Sequence, residues 1–276
     1  MKKYRVLFVS QEISPYLPES EMSLIGRNLP QGIQEKEKEI RTFMPRYGSV
    51  NERRHQLHEV IRLSGMNLII DDTDHPLIIK VASIQPARMQ VYFIDNEEYF
   101  QRKASFTEPL TGKAFPDNDE RSIFFCRGVI ETVKKLGWSP DIIHCHGWCT
   151  APMGLYLKKA FSDNPLFSES KVIYSVYNDD FKGSLNKNFS NKLIYDGITE
   201  KDVKTVLDPN FINITKLGIQ YADGVIAGSK SINPEIQSLL KRVNKPFLGH
   251  QSPESLISAY SDFYEEVLEE DSVYAE

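Results

Sequence analysis

The sequence contains few cysteines, no long apolar run and no large excess of charge of either sign. Its three cysteines, Cys126, Cys145 and Cys149, are an odd number at irregular spacing, which argues against a disulfide framework and fits a reducing compartment. No apolar run approaches the roughly 20 residues that span a bilayer, and no signal-peptide pattern is visible, so we expect a cytoplasmic protein without a membrane contact. The net charge of −5, with lysines and arginines scattered among acids, argues against a nucleic-acid partner.

Strand and helix patterns alternate along the 276 residues, of which 41% are hydrophobic and 26% charged. Apolar runs predict strands at 4–10, 39–45, 66–71, 76–84, 89–95, 141–146, 171–176 and 224–227. The third to fifth of these strands are expected to form a local meander. Helical periodicity predicts helices at 20–37, 118–136, 150–159, 210–221 and 233–243. Pro30 and Gly32 interrupt the first of these helices. The alternation predicts a doubly wound α/β fold, with a parallel, Rossmann-like sheet covered on both faces.

The stretch DIIHCHGWCT, residues 141–150, brings two histidines and two cysteines together where a predicted parallel strand ends. Doubly wound sheets bind their ligands at the carboxyl ends of the strands, so His144 and His146 lie where a site is expected. Zinc is the weaker interpretation, because structural zinc needs four converging ligands and the chain has no second cluster of this kind. The other interpretation is that His144, Cys145 and Cys149 are core residues near a strand end. We expect no metal here.

Six segments of the chain resemble, in order, motifs of the bacterial glycogen and starch synthases. Residues 137–158, GWSPDIIHCHGWCTAPMGLYLK, are similar to the family's GWxPDVVHAHDWHTALAPLYLK. The other similar segments are VLFVSQEISPY (6–16), FMPRYG (43–48), VYFIDNEEYFQR (91–102), DNDERSIFF (117–125) and NITKLGIQYADGVIAGS (213–229). The family consists of retaining glucosyltransferases, so the resemblance implies the glycosyltransferase-B fold.

The resemblance also implies how the chain is organised. Residues 1–244 match the N-terminal Rossmann-like domain, a single half of the glycosyltransferase-B fold, and we expect no counterpart of the second, nucleotide-binding domain. Residues 245–276 are expected to form a bridge, a C-terminal helix and an acidic tail. The helix at 256–268 resembles the last helix of full-length synthases, so we expect Tyr260, Phe263 and Leu268 to pack back on the domain.

The largest departure from the family motifs lies in the loop after the first strand. Active members carry a Lys-x-Gly-Gly loop there, in which a lysine and bare glycine amides meet the pyrophosphate of the sugar nucleotide. This chain has Pro18, Glu19, Ser20 and Glu21 at the aligned positions. Proline supplies neither charge nor an N–H group, and Glu21 places a carboxylate where a dianion should rest. The resemblance therefore implies a degenerate donor loop.

The histidine motifs are kept only in part. His146 matches the histidine of HDWHT that lies beside the transferred glucose, so the resemblance implies a vestigial catalytic residue. The acid of that motif is replaced by Gly147, and its second histidine by Cys149. The HN of the family's IHNLAYQG is replaced by Tyr177 and Asn178, which are candidates for substrate binding.

Two functions compete for a chain with these departures. The first is a catalytically inactive relative of the synthases that binds an α-glucan, a maltooligosaccharide or a partner protein in a regulatory role. Trp148, Tyr177 and Phe181 are candidates to stack on sugar rings, and each is equally well explained as a core residue. The alternative is an ADP-glucose-dependent α-1,4-glucosyltransferase that acts with a partner chain. We expect the first, without a cofactor, and with self-association at the face that a second domain covers in the family.

Overall fold

The structure is a computed structural model that describes residues 4–269, and its sheet contains ten strands. The strands are β1 (Arg5–Ser10), β2 (Glu39–Pro45), β3 (His58–Glu59), β4 (Met66–Ile70), β5 (Thr73–Ile84), β6 (Met89–Asp95), β7 (Ile142–His146), β8 (Lys171–Val176), β9 (Gly224–Ala227) and β10 (Phe247–Leu248). The helices are α1 (Glu21–Glu35), α2 (Glu52–His55), α3 (Glu97–Phe100), α4 (Asn118–Leu136), α5 (Pro152–Lys158), α6 (Phe189–Leu193), α7 (Phe211–Tyr221), α8 (Pro234–Leu240) and α9 (Leu256–Glu269). Turns of 3-10 helix lie at Trp148–Thr150 and Lys204–Val206.

The sheet is parallel from β10 to β6, in the order β10-β9-β8-β7-β1-β2-β6. The meander predicted from the sequence is confirmed, because β5 pairs antiparallel with both β4 and β6, and β6 then joins the parallel part beside β2. From β1 the chain adds β2 and then β6 on one side of the sheet, and from β7 it adds β8, β9 and β10 on the other side. The boundary between β1 and β7 is a topological switch point, the place where open α/β sheets bind ligands.

Both faces of the sheet are covered. Alternate residues of β1 point to opposite faces, so Val6 and Phe8 join an apolar cluster with α1 and α9, whereas Leu7 and Val9 join the larger cluster. Helix α5 contacts both α4 and α7, and all three helices contribute to the larger cluster. The doubly wound α/β fold predicted from the sequence is therefore confirmed.

Helix α1 runs without a break through Pro30, so the predicted interruption was wrong. Proline at this position leaves the helix without one main-chain hydrogen bond, but the burial of Leu29 and Ile33 on either side of it offsets the loss. Gly32 has a separate role, because a Cβ atom on it would lie 2.6 Å from Cδ1 of Ile257 in α9. The glycine lets the two helices approach each other closely.

Helix α9 lies against this same face of the sheet. Its Tyr260 and Phe263 are buried and its Leu268 is half-buried, so all three side chains face the domain. The glycine that begins β9, Gly224, makes room for the helix, since a Cβ atom there would lie 2.9 Å from Cγ2 of Val267. The segment expected to be a plain bridge contains β10, which extends the sheet by one strand. The acidic tail is predicted to begin after Leu268; its first residue, Glu269, ends α9, and the rest of the tail lies outside the described residues.

Candidate functional site

A cavity of about 840 Å³ opens at the carboxyl ends of the central strands. Gln11 and Pro18 from the loop after β1 form one side, Trp148 from the turn after β7 lies beside them, and Phe181 follows β8. The far wall is a hairpin over residues 103–116, closed by a bridge between Thr107 and Ala114. The cavity thus lies at the topological switch point, where the fold predicts a ligand site.

The loop at positions 18–21 forms the capped start of α1. The Ser20 hydroxyl accepts the Ser23 N–H (3.0 Å), and the Ser23 hydroxyl accepts the Ser20 N–H (2.8 Å). This reciprocal capping box satisfies main-chain donors that would otherwise be available to an anion at the helix N-terminus. Of the four loop residues, Pro18 lines the cavity, whereas Glu19, Ser20 and Glu21 are not among the residues that line it.

Carboxylates surround this helix end. The Ser20 hydroxyl donates to Oε2 of Glu12 at 2.7 Å, and Glu12 also lines the cavity. Glu21, in the first turn, lies 3.3 Å from Nε2 of His250 in the segment that leads to α9. Negative charge therefore occupies the region in which an anionic ligand would need cations and unpaired N–H groups.

The two histidines at the end of β7 belong to the core. Nδ1 and Nε2 of His144 hydrogen-bond to the hydroxyls of Tyr264 and Ser175, both at 2.7 Å. His146 is 1% exposed, and its Nδ1 hydrogen-bonds to the Tyr177 hydroxyl at 2.7 Å. Burial lowers the pKa of His146 to about 3, and burial together with the neighbouring His146 lowers the pKa of His144 well below its usual range. Both imidazoles are therefore neutral at physiological pH, and His146 is not among the residues that line the cavity.

The predicted site residues separate into two groups. Tyr177 is 2% exposed and lies in the core rather than along the cavity; a Cβ atom on Gly228 would sit 2.5 Å from its ring. Asn178 is exposed and donates its main-chain N–H to the Ser229 hydroxyl (3.2 Å), away from the cavity. Tyr177 and Asn178 are not brought to the cavity together with Pro18 and Trp148.

Trp148 forms the floor of the cavity between two other aromatic side chains. Its ring centroid lies 4.7 Å from that of Phe106 and 5.0 Å from that of Phe181. Trp148 is itself 3% exposed, whereas Phe181 is half-buried, so Phe181 is the ring that is more accessible to a ligand. The result is an apolar aromatic wall beside polar and charged side chains, among them Glu12, Lys103 and Lys182.

Asp179 is a cavity residue that sequence reasoning missed, because two adjacent acids after a strand are equally well explained by a turn. Its Oδ2 accepts the Trp148 N–H at 3.1 Å. Burial raises the pKa of Asp179 to about 7, and the carboxylates of Glu12 and Asp180 act in the same direction, while the Trp148 N–H opposes them. The floor of the cavity therefore carries a carboxyl group that titrates near neutral pH.

This raised pKa predicts a pH-dependent gain in stability for Asp179→Asn. The folded state holds the proton more tightly than the unfolded chain, so the stability contribution of Asp179 is largest below its unfolded pKa and is lost as the pH rises through about 7. We expect the variant to gain about 1 kcal/mol more over the wild type at pH 8 than at pH 5; the partial exposure of Asp179 reduces the full linkage effect. Urea unfolding at both pH values measures the gain. A gain independent of pH would contradict the assignment.

The zinc interpretation finds no support in the geometry. Burial raises the pKa of the thiols of Cys126, Cys145 and Cys149, which disfavours the thiolate form that binds metal. Within residues 4–269, no group of three or more His, Cys, Asp or Glu side chains is placed to hold a metal ion. The same part of the chain contains no helix long and apolar enough to cross a bilayer.

The parallel sheet, its switch point and the cleft at the strand ends are those of one half of a glycosyltransferase-B domain. The model of the starch synthase catalytic domain matches residues 5–244, and the chain belongs to that family. It is 34% identical over 235 residues to the glycogen synthase of Chlorobium limicola, a match that covers 85% of this chain and 47% of that protein. The glycogen synthase of Chlorobium luteolum is 35% identical over 237 residues, with the same coverage of both chains.

A solved structure shows the same fold. The catalytic domain of starch synthase IV from Arabidopsis thaliana, bound to ADP and acarbose, superposes with a TM-score of 0.73 at 18% identity. The match covers 91% of this chain and 52% of that one. The chain thus spans about half the length of the relatives that it matches.

Proposed function

We propose that this chain binds an α-glucan in the cavity at the strand ends and does not transfer glucose from a sugar nucleotide. The observation that carries the proposal is the start of α1, where the family's Lys-x-Gly-Gly is replaced by a proline, a serine cap and two glutamates. Glucosyl transfer needs several kcal/mol of stabilisation for the departing diphosphate, from cations and main-chain N–H groups. Here the capping serines already bind those N–H groups, and carboxylates stand beside them.

The carboxylates at the start of α1, where the family carries a lysine, belong to this domain itself. A second domain or a partner chain would still meet Glu12 and Glu21 at this helix end. This disfavours the alternative of an ADP-glucose-dependent α-1,4-glucosyltransferase completed by a partner chain. The burial of His146 against Tyr177 acts in the same direction, because the family histidine lies beside the transferred glucose and this one is enclosed by core residues.

The cavity itself suits a neutral sugar polymer. Trp148 and Phe181 supply aromatic side chains to the cavity wall. Polar groups on the same wall come from Gln11, Asn186 and Asp179. Proteins commonly bind small neutral ligands by placing apolar ring faces next to polar side chains that hydrogen-bond to the ligand's hydroxyl groups. We also propose a cytoplasmic location. We further propose a regulatory role, exerted through the bound glucan, through a partner protein or through a second copy of this chain.

Titration calorimetry with maltoheptaose tests the glucan half of the proposal. We expect saturable binding, weakened about 10-fold in Phe181→Ala, because stacking on this half-buried aromatic ring is expected to contribute about 1.4 kcal/mol. Phe247→Ala is the matched control, since Phe247 is 45% exposed on β10 and lies outside the cavity. It is expected to bind like the wild type. No heat with the wild type, or equal losses in both variants, would refute glucan binding in this cavity.

A further inference from the structure

Two neighbouring strands end beside each other at the cavity, with Gly147 directly after β7 and Asp179 close after β8.

The two positions share the same space in the structure. A Cβ atom built on Gly147 would lie 3.1 Å from Oδ2 of Asp179 and 2.8 Å from Oε1 of Gln11. Gly147 also has a φ of +87°, which L side chains rarely adopt. In this conformation of the turn, a side chain at position 147 would displace the Gln11 side chain and would lie in tight contact with the Asp179 carboxylate.

The Asp179 carboxylate is bonded to the part of the turn that carries the floor of the cavity. Its Oδ2 accepts the Trp148 N–H at 3.1 Å, and Oε1 of Gln11 accepts the next N–H, that of Cys149, also at 3.1 Å. These two bonds fix consecutive peptide groups of the turn. The ring of Trp148 is in this way held between Phe106 and Phe181.

We infer that Asp179 is a positioning residue that fixes the Trp148 turn for ligand binding. The inference rests on the proposed function for the ligand, an α-glucan, and on geometry alone for the turn. Asparagine at 179 keeps an oxygen that can accept the Trp148 N–H, whereas alanine and leucine do not. A positioning role therefore predicts that asparagine rescues what alanine removes.

Maltoheptaose titrated into the full chain tests the ligand side. We expect binding to be about 10-fold weaker in Asp179→Ala and in Asp179→Leu, and within about threefold of the wild type in Asp179→Asn. The matched control is Asp141→Ala, which removes a carboxylate that accepts the Arg5 N–H (2.7 Å) at the opposite ends of the strands. It is expected to bind like the wild type. Wild-type affinity in Asp179→Ala or Asp179→Leu would overturn the inference.

The emission of Trp148 tests the same inference without a glucan. In a Trp138→Phe background Trp148 is the single tryptophan. Acrylamide quenching is expected to rise at least about twofold with Asp179→Ala or Asp179→Leu, and to stay unchanged with Asp179→Asn. If the wild type gives no heat with maltoheptaose, the proposed function fails, and quenching still decides on Asp179. Unchanged quenching in the folded alanine and leucine variants would overturn its positioning role.

Discussion

Tyr264→Ala is expected to lower the free energy of unfolding by about 4 kcal/mol. The Tyr264 side chain on α9 is fully buried against the sheet, and removing a buried aromatic ring costs about 3–5 kcal/mol. Its hydroxyl is also the partner of Nδ1 of His144, which is itself fully buried and would lose that bond. Urea unfolding followed by circular dichroism measures the change.

Two further variants distinguish the contribution of the Tyr264 ring from that of its hydroxyl and from a general effect of mutating α9. Tyr264→Phe keeps the ring and removes only the hydrogen bond to His144, so we expect a loss of about 1–2 kcal/mol. Glu266→Ala changes an exposed position of the same helix and is expected to stay within about 0.5 kcal/mol of the wild type. A loss below about 1 kcal/mol in Tyr264→Ala would show that α9 does not dock on the domain as described.

Restoring the family's donor loop is expected to create nucleotide binding. The triple substitution Pro18→Lys, Ser20→Gly and Glu21→Gly rebuilds Lys-x-Gly-Gly, removes the serine cap and deletes a carboxylate from the first turn of α1. We expect ADP to bind at least about 100-fold more tightly than to the wild type, which corresponds to about 2.7 kcal/mol from one new cation and from N–H groups released to the phosphates. Titration calorimetry with ADP measures the gain.

A single substitution serves as the control for the graft. Ser20→Ala removes the cap and costs about 1 kcal/mol of stability without adding a cation. We expect no ADP binding in this variant. Equal gains in Ser20→Ala and in the triple variant would mean that loosening the helix end, rather than its charge, controls nucleotide access.

Much of the fold follows from local patterns in the sequence. The predicted helix at 118–136 coincides with α4, and the predicted strand at 39–45 coincides with β2, because each has strong periodicity and clear end signals. Pro30 was misleading, since tertiary burial of α1 overrides a local breaker. The two-residue strand β10 has no detectable pattern of its own and forms only because β9 offers a free edge.

The position of the candidate site at the strand ends was predictable from the sequence, but the residues that surround His144 and His146 were not. The strand order places the end of β7, and with it His146, at the switch point, as the sequence indicates. The enclosure of His146 depends on Tyr177, which follows a neighbouring strand, and the partner of His144 comes from α9, 120 residues away in the chain. Asp179 cannot be identified as a cavity residue from the sequence, because its distance to Gly147 exists only in the folded chain.

The most direct test of the central claim is the titration of ADP into the unmodified chain, with the Lys-x-Gly-Gly graft measured alongside. The start of α1, with its serine cap and its carboxylates, predicts no saturable heat with the wild type up to about 1 mM ADP, and binding only in the graft. Saturable binding of ADP to the unmodified chain, with an affinity equal to that of the graft, would contradict the claim that this domain cannot hold a donor's phosphates.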